Sequence, residues 1–454
     1  MTKTIVTQPD INKLNKDIEE FWQVHPATED MTNDFEGVGR MVMFDRYSFK
    51  DLTNKTLGKG DMVVVTVKPD PLYPSRGIGI VQEVDGDNAT IWVQEDYQSS
   101  LEDPEEQESG LITRTINEID KPLELYWEQI AARVANAQAN VEQEEDKKKW
   151  EDNFYDMIGS KKYVPAGRIL FGSNSDSEVT LYNCFILPNP QDSRHGLSKH
   201  RSIGAEVMSR GGGIGYSGSA LRPKNVLAKG VNGRSSGAVS WLADHANLTH
   251  LIQQGGSRRG AQMQQLLDSH PDIVEFIVSK IQNANILHFI SENFEDELIR
   301  NEAKKRIKFV PIPAKEKAVL EVVAQYENVP GTGGFTSKQI KEAKDKLAKG
   351  GTYKVENDQM LTGANISVAI SDDFMEAVKN DADWTFRYPD IDNYDGEEMA
   401  EYNEKYADLA DPRDWEALGY SIKDYYTLPA KELWKLINFS ATYSAEPKNN
   451  WAFM

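Results

Sequence analysis

A chain of 454 residues with a net charge of −21 and 27% charged side chains has the length for two or three domains with buried cores. Its acidity argues against nucleic acid as a partner, because duplex binding rests on a dense Lys/Arg footprint. A single cysteine rules out an internal disulfide or a thiol metal cluster within these residues and fits a reducing compartment. No apolar run approaches the ~20 residues of a membrane span, and residues 1–20 lack the apolar core of a signal peptide, so the reading is a soluble protein acting in the cytoplasm.

Residues 1–55 are mixed and polar, and Arg40–Asp51 reads as a short docking segment. Within 56–110, β-branched runs at Met62–Val67, Ile78–Val84 and Ala89–Val93, with a turn at Asp85–Asn88, predict a small β-barrel-like module of structural or protein-binding role. The acidic tract Glu102–Glu108 reads as a solvated linker. A helical domain is expected over 111–163: Leu123, Trp127, Ile130 and Val134 recur at helical spacing between Pro122 and Gly159, with opposite charges at i, i+4 over Glu142–Lys149. From 164 to 289, short apolar segments alternate with glycine clusters and a helix at Ala238–Gln253. This texture predicts an α/β layer whose loops converge at one end of a sheet, where ligands usually sit. Residues 290–360 read as a charged insertion with helices at Glu295–Lys308, Ala314–Gln325 and Ser337–Lys349. The sheet resumes at Asn365–Ser371 within 361–454, followed by helices at Asp373–Asn380 and Glu432–Tyr443.

Local chemistry discriminates little. The lone Cys184 has the apolar neighbours Phe185, Ile186 and Leu187, which favour a buried small hydrophobe over a catalyst. The run Gly211-Gly-Gly-Ile-Gly215 has neither Gly-x-Gly-x-x-Gly spacing nor a following Lys-Ser/Thr, so its glycines read as tight turns. Gly255–Gly260, which carries Arg258 and Arg259, suits phosphate better through bidentate guanidinium contacts. The histidines show no metal spacing: His245 and His250 are five apart, and His195 and His200 fall in what reads as a polar loop.

The order of several motifs is more specific than any one of them. Pro165-Ala-Gly-Arg168, Tyr182-Asn-Cys-Phe185 with Pro188 and Asp192-Ser193, Arg210-Gly-Gly-Gly-Ile-Gly215, Leu221-Arg-Pro223, Asn232-Gly-Arg-Ser-Ser-Gly237 with Trp241, Gln254-Gly-Gly-Ser-Arg-Arg-Gly260, His270-Pro-Asp-Ile273 and Asn365-Ile-Ser-Val368 with Asp373-Phe-Met375 follow one another. Together they resemble the catalytic chain of ribonucleotide reductase, most closely the adenosylcobalamin-dependent class II branch, over about residues 160–285 and 360–447. The resemblance implies the first half of a ten-stranded α/β barrel and the reduction of ribonucleotides to deoxyribonucleotides by a thiyl radical. It implies that Cys184 is one of two redox thiols, that Ala166, Gly167, Asn183, Gly218 and Ser219 border the substrate, and that Asp192, Asn232, Arg234, Ser235, Ser236 and Arg258 bind a deoxynucleoside triphosphate effector. No residue is implied as a metal ligand. The implied partners are a thioredoxin-like reductant and a second copy of the chain in a homodimer.

One cysteine cannot serve a reaction that needs a thiol pair and a third, radical-bearing thiol. The expectation is therefore the N-terminal part of a split or interrupted enzyme, broken before the finger loop, that needs a C-terminal half carrying the radical cysteine and most of the adenosylcobalamin site. Such a half-barrel is expected to associate or aggregate through its uncovered edges. Two alternatives remain at this point: a non-catalytic nucleotide-binding or assembly subunit, and a fragment of a class I large chain.

Overall fold

The computed structural model describes residues 11–32, 35–70, 74–175, 177–228, 232–254, 258–325 and 335–451. The chain divides into two compact units, Met1–Asn183 with Gln254–Arg258, and Cys184–Gln253 with Arg259–Met454.

In the first unit six strands, β1 (Lys50–Asp51), β2 (Met62–Lys68), β3 (Ser75–Asp85), β4 (Asn88–Val93), β5 (Leu111–Thr115) and β6 (Ile119–Pro122), form an antiparallel sheet in the order β1-β6-β2-β3-β4-β5. Side chains alternate across a strand, and β2 uses both faces. Val63, Val65 and Val67 pack with Val81, Ile91 and Ile112, while Met62 and Val64 pack with Phe44, Leu123, Trp127 and Ile130. The sheet and the helices therefore share a core. The segment read as a docking peptide is part of it: Arg40, Met43, Phe44 and Asp51 are all buried. Its helix Gly37–Val42 and the π turn Met43–Tyr47 cover the sheet face that a sequence scan cannot see.

Two other expectations change here. The acidic tract holds a helix, Pro104–Ser109, because Asp103 caps its start by accepting the Glu105 N–H and Gly110, at φ +68°, ends it. The long helical stretch is two helices, Trp127–Ala139 and Lys147–Gly159. Pro122 closes β6 instead of opening a helix, and the charge pattern of Glu142–Lys149 spans the break between the two.

A buried ion pair holds this unit together. Arg133 and Glu124 are at most 1% exposed and meet through two parallel bonds, Nε–Oε1 at 2.7 Å and Nη2–Oε2 at 2.9 Å. Arg133 also donates to the carbonyls of Leu170, Ser173 and Tyr47, and Glu124 accepts the Phe49 N–H. One guanidinium thus ties four chain segments.

The second unit is built on β7 (Cys184–Ile186) and β8 (Gly213–Ser217). After these come the short strands β9 (Leu227–Ala228) and β10 (Gly233–Arg234), then β11 (Gln253–Gln254) and β12 (Arg258–Arg259), of which Gln254 and Arg258 belong to the first unit, and then β13 (Gln262–Leu267). Beyond it lie β14 (Ile307–Pro311), β15 (Gly351–Val355), β16 (Asn365–Ile370), β17 (Asp383–Pro389), β18 (Ile422–Pro429) and β19 (Lys448–Trp451). Five of these form one parallel sheet in the order β19-β16-β13-β8-β7. Among the described residues the sheet is open, with β7 and β19 at its edges, so the chain is mixed α/β and no closed barrel is present. Leu266, Ile366, Val368, Phe276 and Phe374 are fully buried around it. Helix Ala238–Leu251 is tied to it by polar side chains: Gln264 donates to the Tyr216 hydroxyl and the Leu242 carbonyl, and Gln262 to the His245 carbonyl.

The insertion is not wholly helical. Its first helix stops at Lys305, and Ile307–Pro311 pairs antiparallel with Gly351–Val355, carrying helices Ala314–Gln325 and Ser337–Lys349 beyond the ladder. A second antiparallel pair, β17 with β18, encloses helices Gly396–Leu409 and Pro412–Ala417, for which the sequence suggested nothing. Among the described residues no helix is long and apolar enough to cross a membrane.

Removing one partner of a buried, fully bonded ion pair leaves the other charge stranded, at a cost of about 3–5 kcal/mol. Arg133→Met should therefore lower the unfolding free energy of the first unit by about that amount in urea titrations, whereas Lys148→Met, in an exposed pair with Asp152, should leave the urea midpoint essentially unchanged.

Candidate functional site: a cationic pocket at the strand ends

All five sheet strands run the same way, so one edge of the sheet gathers their C-terminal ends and the starts of the helices that follow. A cavity of about 510 Å³ opens there. Asp192, Ser193 and Arg194 reach it from the turn after β7, where Ser193 caps helix Arg194–Ser209 by accepting the Gly196 N–H at 2.9 Å. Arg222 comes from the turn after β8. Arg234, Ser235 and Ser236 come from the β9–β10 hairpin that leads into helix Ala238–Leu251. Trp241, Ile391 and Met399 supply apolar wall. Three guanidinium groups and two helix starts around one cavity make a site for an anion with an apolar appendage.

The loops are held from the turn that joins β13 to helix Ile273–Ser279. Asp272 accepts the N–H groups of Lys224 at 3.1 Å and Ala238 at 2.8 Å, fixing both the turn after β8 and the start of the second helix. Burial pushes its carboxyl up to about 6 against those two bonds. Gly237 sits at φ +92°, and a Cβ there would stand 2.7 Å from Asp272 Oδ2, so only glycine fits. His270 accepts the Asp272 N–H on Nδ1 at 3.0 Å, which puts its proton on Nε2, donated to the Leu221 carbonyl at 2.9 Å. Burial lowers its pKa to about 4. Arg222 in turn bonds Asp192 Oδ2 through Nε at 2.7 Å and the Leu227 carbonyl through Nη1 at 3.2 Å.

Four of the six effector residues expected from the sequence, Asp192, Arg234, Ser235 and Ser236, line this one cavity. Asn232 lies on the exposed turn of the β9–β10 hairpin at φ +49° and is not in the lining. Arg258 is in β12, and its side chain, like residues 255–257, lies outside the described residues. The sequence reading passed over Arg222, Arg194 and Trp241. Arg222 and Trp241 stood in quoted motifs, but only the fold shows that they line the same cavity as Asp192.

Cys184 is exposed. It is not the buried hydrophobe its neighbours suggested, because β7 is an edge strand and Ile186, on the same face, is 94% exposed. It stands at the start of β7, in register with Gly213. Gly218 and Ser219 follow the far end of β8, roughly 15 Å along the sheet at 3.3 Å per residue. The Ser219 hydroxyl there accepts the Leu267 N–H at 2.8 Å. The fold thus puts Gly213 beside the thiol and Gly218–Ser219 at the pocket edge of the sheet. Gly211 and Gly212 end helix Arg194–Ser209, and a Cβ on Gly212 would meet Phe185 and Val207 at 2.8 Å, so the triple glycine is a turn and not a phosphate loop. In the first unit, Ala166 immediately precedes the short helix Gly167–Gly172 without a capping side-chain bond, Gly167 abuts the Tyr47 hydroxyl, and Asn183 has a buried Oδ1 without a hydrogen-bond partner. His200 lies within helix Arg194–Ser209, not in a loop, packed on Tyr216 and His245.

Fold and site define an α/β protein with an anion pocket at the carboxyl edge of a parallel sheet. The chain belongs to the ribonucleotide reductase large-chain family: the barrel domain of that family matches residues 182–449, more than half of the chain, and its all-alpha domain matches residues 115–178. Among curated relatives, the chain is 33% identical over 155 residues to a vitamin B12-dependent ribonucleoside-diphosphate reductase of Mycobacterium tuberculosis (strain CDC 1551 / Oshkosh), covering 34% of this chain and 22% of that protein. It is 35% identical over 153 residues to the protein of the same name from Thermoplasma acidophilum, covering 32% of this chain and 20% of that one. It is 30% identical over 154 residues to the ribonucleoside-diphosphate reductase subunit alpha of Chlamydia trachomatis serovar D, covering 34% and 14%. The chain therefore spans less than a quarter of the length of these relatives.

The buried His270 gives this site a pH signature. Its folded pKa of about 4 lies below the ordinary 6.5, so the unfolded chain takes up a proton that the fold refuses, and stability present above pH 6.5 is lost as the pH falls toward 4. Asp268 and Asp272, both raised to about 6, act oppositely, which makes a difference measurement necessary. Between pH 7 and pH 5 the wild type should lose about 2 kcal/mol more unfolding free energy than His270→Gln, measured by urea titration at both values.

Proposed function

We propose that this chain is the nucleotide-binding part of a ribonucleotide reductase, supplying one redox thiol, Cys184, and an effector pocket for a deoxynucleoside triphosphate. The pocket carries the reading. In a chain of net charge −21, Arg194, Arg222 and Arg234 converge on two helix starts beside Trp241 and Met399, a set that suits a polyphosphate attached to a planar base.

The reaction replaces the ribose 2′-hydroxyl by hydrogen: ribonucleotide and two thiols give deoxyribonucleotide, water and a disulfide. Cys184 is exposed at the amino edge of the sheet, as a thiol must be to meet both substrate and an external dithiol. Its disulfide partner has to come within about 4.4–6.8 Å between Cα atoms. These 454 residues hold one cysteine, so the partner thiol and the radical-bearing thiol come from polypeptide outside them. The expected half-barrel follows the same logic: β7 and β19 are open edges onto which further strands can pair.

The B12-dependent relatives favour the cobalamin branch. The described pocket is lined by guanidinium groups and helix starts that suit phosphate and not a corrin ring. The alpha-subunit relative keeps a class I assignment in view, and the single thiol favours, as a second reading, a chain that binds nucleotide without turning over.

The test is deoxynucleotide formation by this chain combined with the polypeptide that supplies the other cysteines. Cys184→Ser should abolish multiple turnover, a fall of at least about 10³-fold; normal multiple turnover in that variant would remove Cys184 from the mechanism. The chain alone should form no deoxynucleotide with adenosylcobalamin and a dithiol.

A further inference from the structure

Asp192 faces the pocket on one side and a buried tyrosine chain on the other. Its Oδ2 is 2.7 Å from the Tyr402 hydroxyl, which is 2.7 Å from the Tyr388 hydroxyl, which is 2.6 Å from the Ala220 carbonyl oxygen. Tyr388 and Tyr402 are at most 2% exposed, and Ala220 directly follows Gly218–Ser219 at the end of β8.

Counting protons makes this chain bistable. Three oxygen–oxygen contacts join a carboxylate paired with Arg222, two phenols and a carbonyl. The phenols bring only two protons, and neither end of the chain donates. One contact must lack a proton. Either both hydroxyls point toward Asp192, leaving the Ala220 carbonyl without its donor, or both point toward Ala220, leaving Asp192 to Arg222 alone. The remaining arrangement sets the two phenol oxygens lone pair to lone pair and is the worst of the three.

We propose that Tyr402 is a positioning residue that reports occupancy of the pocket to the end of β8. This rests on the pocket taking a deoxynucleoside triphosphate. A polyphosphate draws the Arg222 guanidinium from Asp192, the carboxylate compensates by accepting a hydrogen bond from the Tyr402 hydroxyl, the Tyr388 hydroxyl turns to donate to Tyr402, and the Ala220 carbonyl is released. The helix that carries Tyr402, Gly396–Leu409, also meets the end of β8 at a second point: Asn189 accepts the Ser217 N–H at 3.3 Å and donates to the Ala407 carbonyl at 2.9 Å. Ser217–Ala220 is thus fastened to one helix by two polar links, of which only one is switchable.

The experiment uses the full chain, dTTP and dATP, calorimetric binding and amide hydrogen exchange. Wild type should bind at least one nucleotide and change its exchange over residues 218–222 on binding. Tyr402→Phe and Tyr388→Phe keep the rings but each break the proton chain; they should bind within about tenfold of wild type and lose most of the change at 218–222. Tyr406→Phe is the control, since the Tyr406 hydroxyl is buried in the same cluster without a hydrogen-bond partner, and it should behave as wild type. A full response in Tyr402→Phe overturns the relay while the pocket assignment stands. Equal loss in Tyr406→Phe also overturns it, as an effect of packing. Absence of binding by the wild type overturns the pocket assignment and the relay with it.

Discussion

Parallel pairing of β7, β8, β13 and β16 imposes a direction on everything attached to the second unit. Each strand must be followed by a crossover, so every helix start falls at one edge of the sheet and every strand start at the other. The anion pocket and the thiol are separated by this rule. Asp192, Arg222 and Ser235 follow strand ends or precede helices and collect at the carboxyl edge, while Cys184 opens a strand and stands at the amino edge beside Gly213. Once the register Cys184↔Gly213 and Ser217↔Gln265 is set, neither group can move to the other side without breaking the ladder.

What fixes the pocket is buried polar chemistry, not apolar packing. His270, Asp272 and Gly237 form one assembly in which a neutral imidazole, a carboxylate with two N–H donors and a residue without Cβ hold two loops at once. Leaving either of the two side chains unpaired in a buried site costs about 1–3 kcal/mol. The same principle governs the first unit, where Arg133 joins four segments through Glu124 and three carbonyls. In the first unit and at the pocket alike, a guanidinium group serves as a hub.

The thiol count limits what these residues do by themselves. Cys184 is exposed, and among the described residues β7 and β19 are the edge strands of the sheet, which is where the proposed partner polypeptide would have to join. The pocket needs nothing of the kind, since the lining described here comes from one unit. On the proposed function, nucleotide binding and turnover would therefore be separable.

Local pattern was enough to determine β2, β3 and β4 of the first unit's six strands, the Ser337–Lys349 helix and the resumption of the sheet at Asn365, because β-branched runs, caps and stops act over a few residues. Motif order was enough to identify the family and to single out Asp192, Arg234, Ser235 and Ser236 before any of them was seen to share a cavity. The β14–β15 and β17–β18 ladders were illegible, since each joins segments more than thirty residues apart with no shared local period. The burial of Arg40–Asp51 was illegible too, because amphipathic texture does not say which surface a segment covers. Cys184 shows the division most clearly: its neighbours Phe185, Ile186 and Leu187 argued for the core, and sequence cannot distinguish an edge strand from a central one. Only the position of β7 at the rim of the sheet decides that the thiol is exposed, and only the tertiary meeting of Asp192, Tyr402, Tyr388 and Ala220 decides that two protons must serve three contacts.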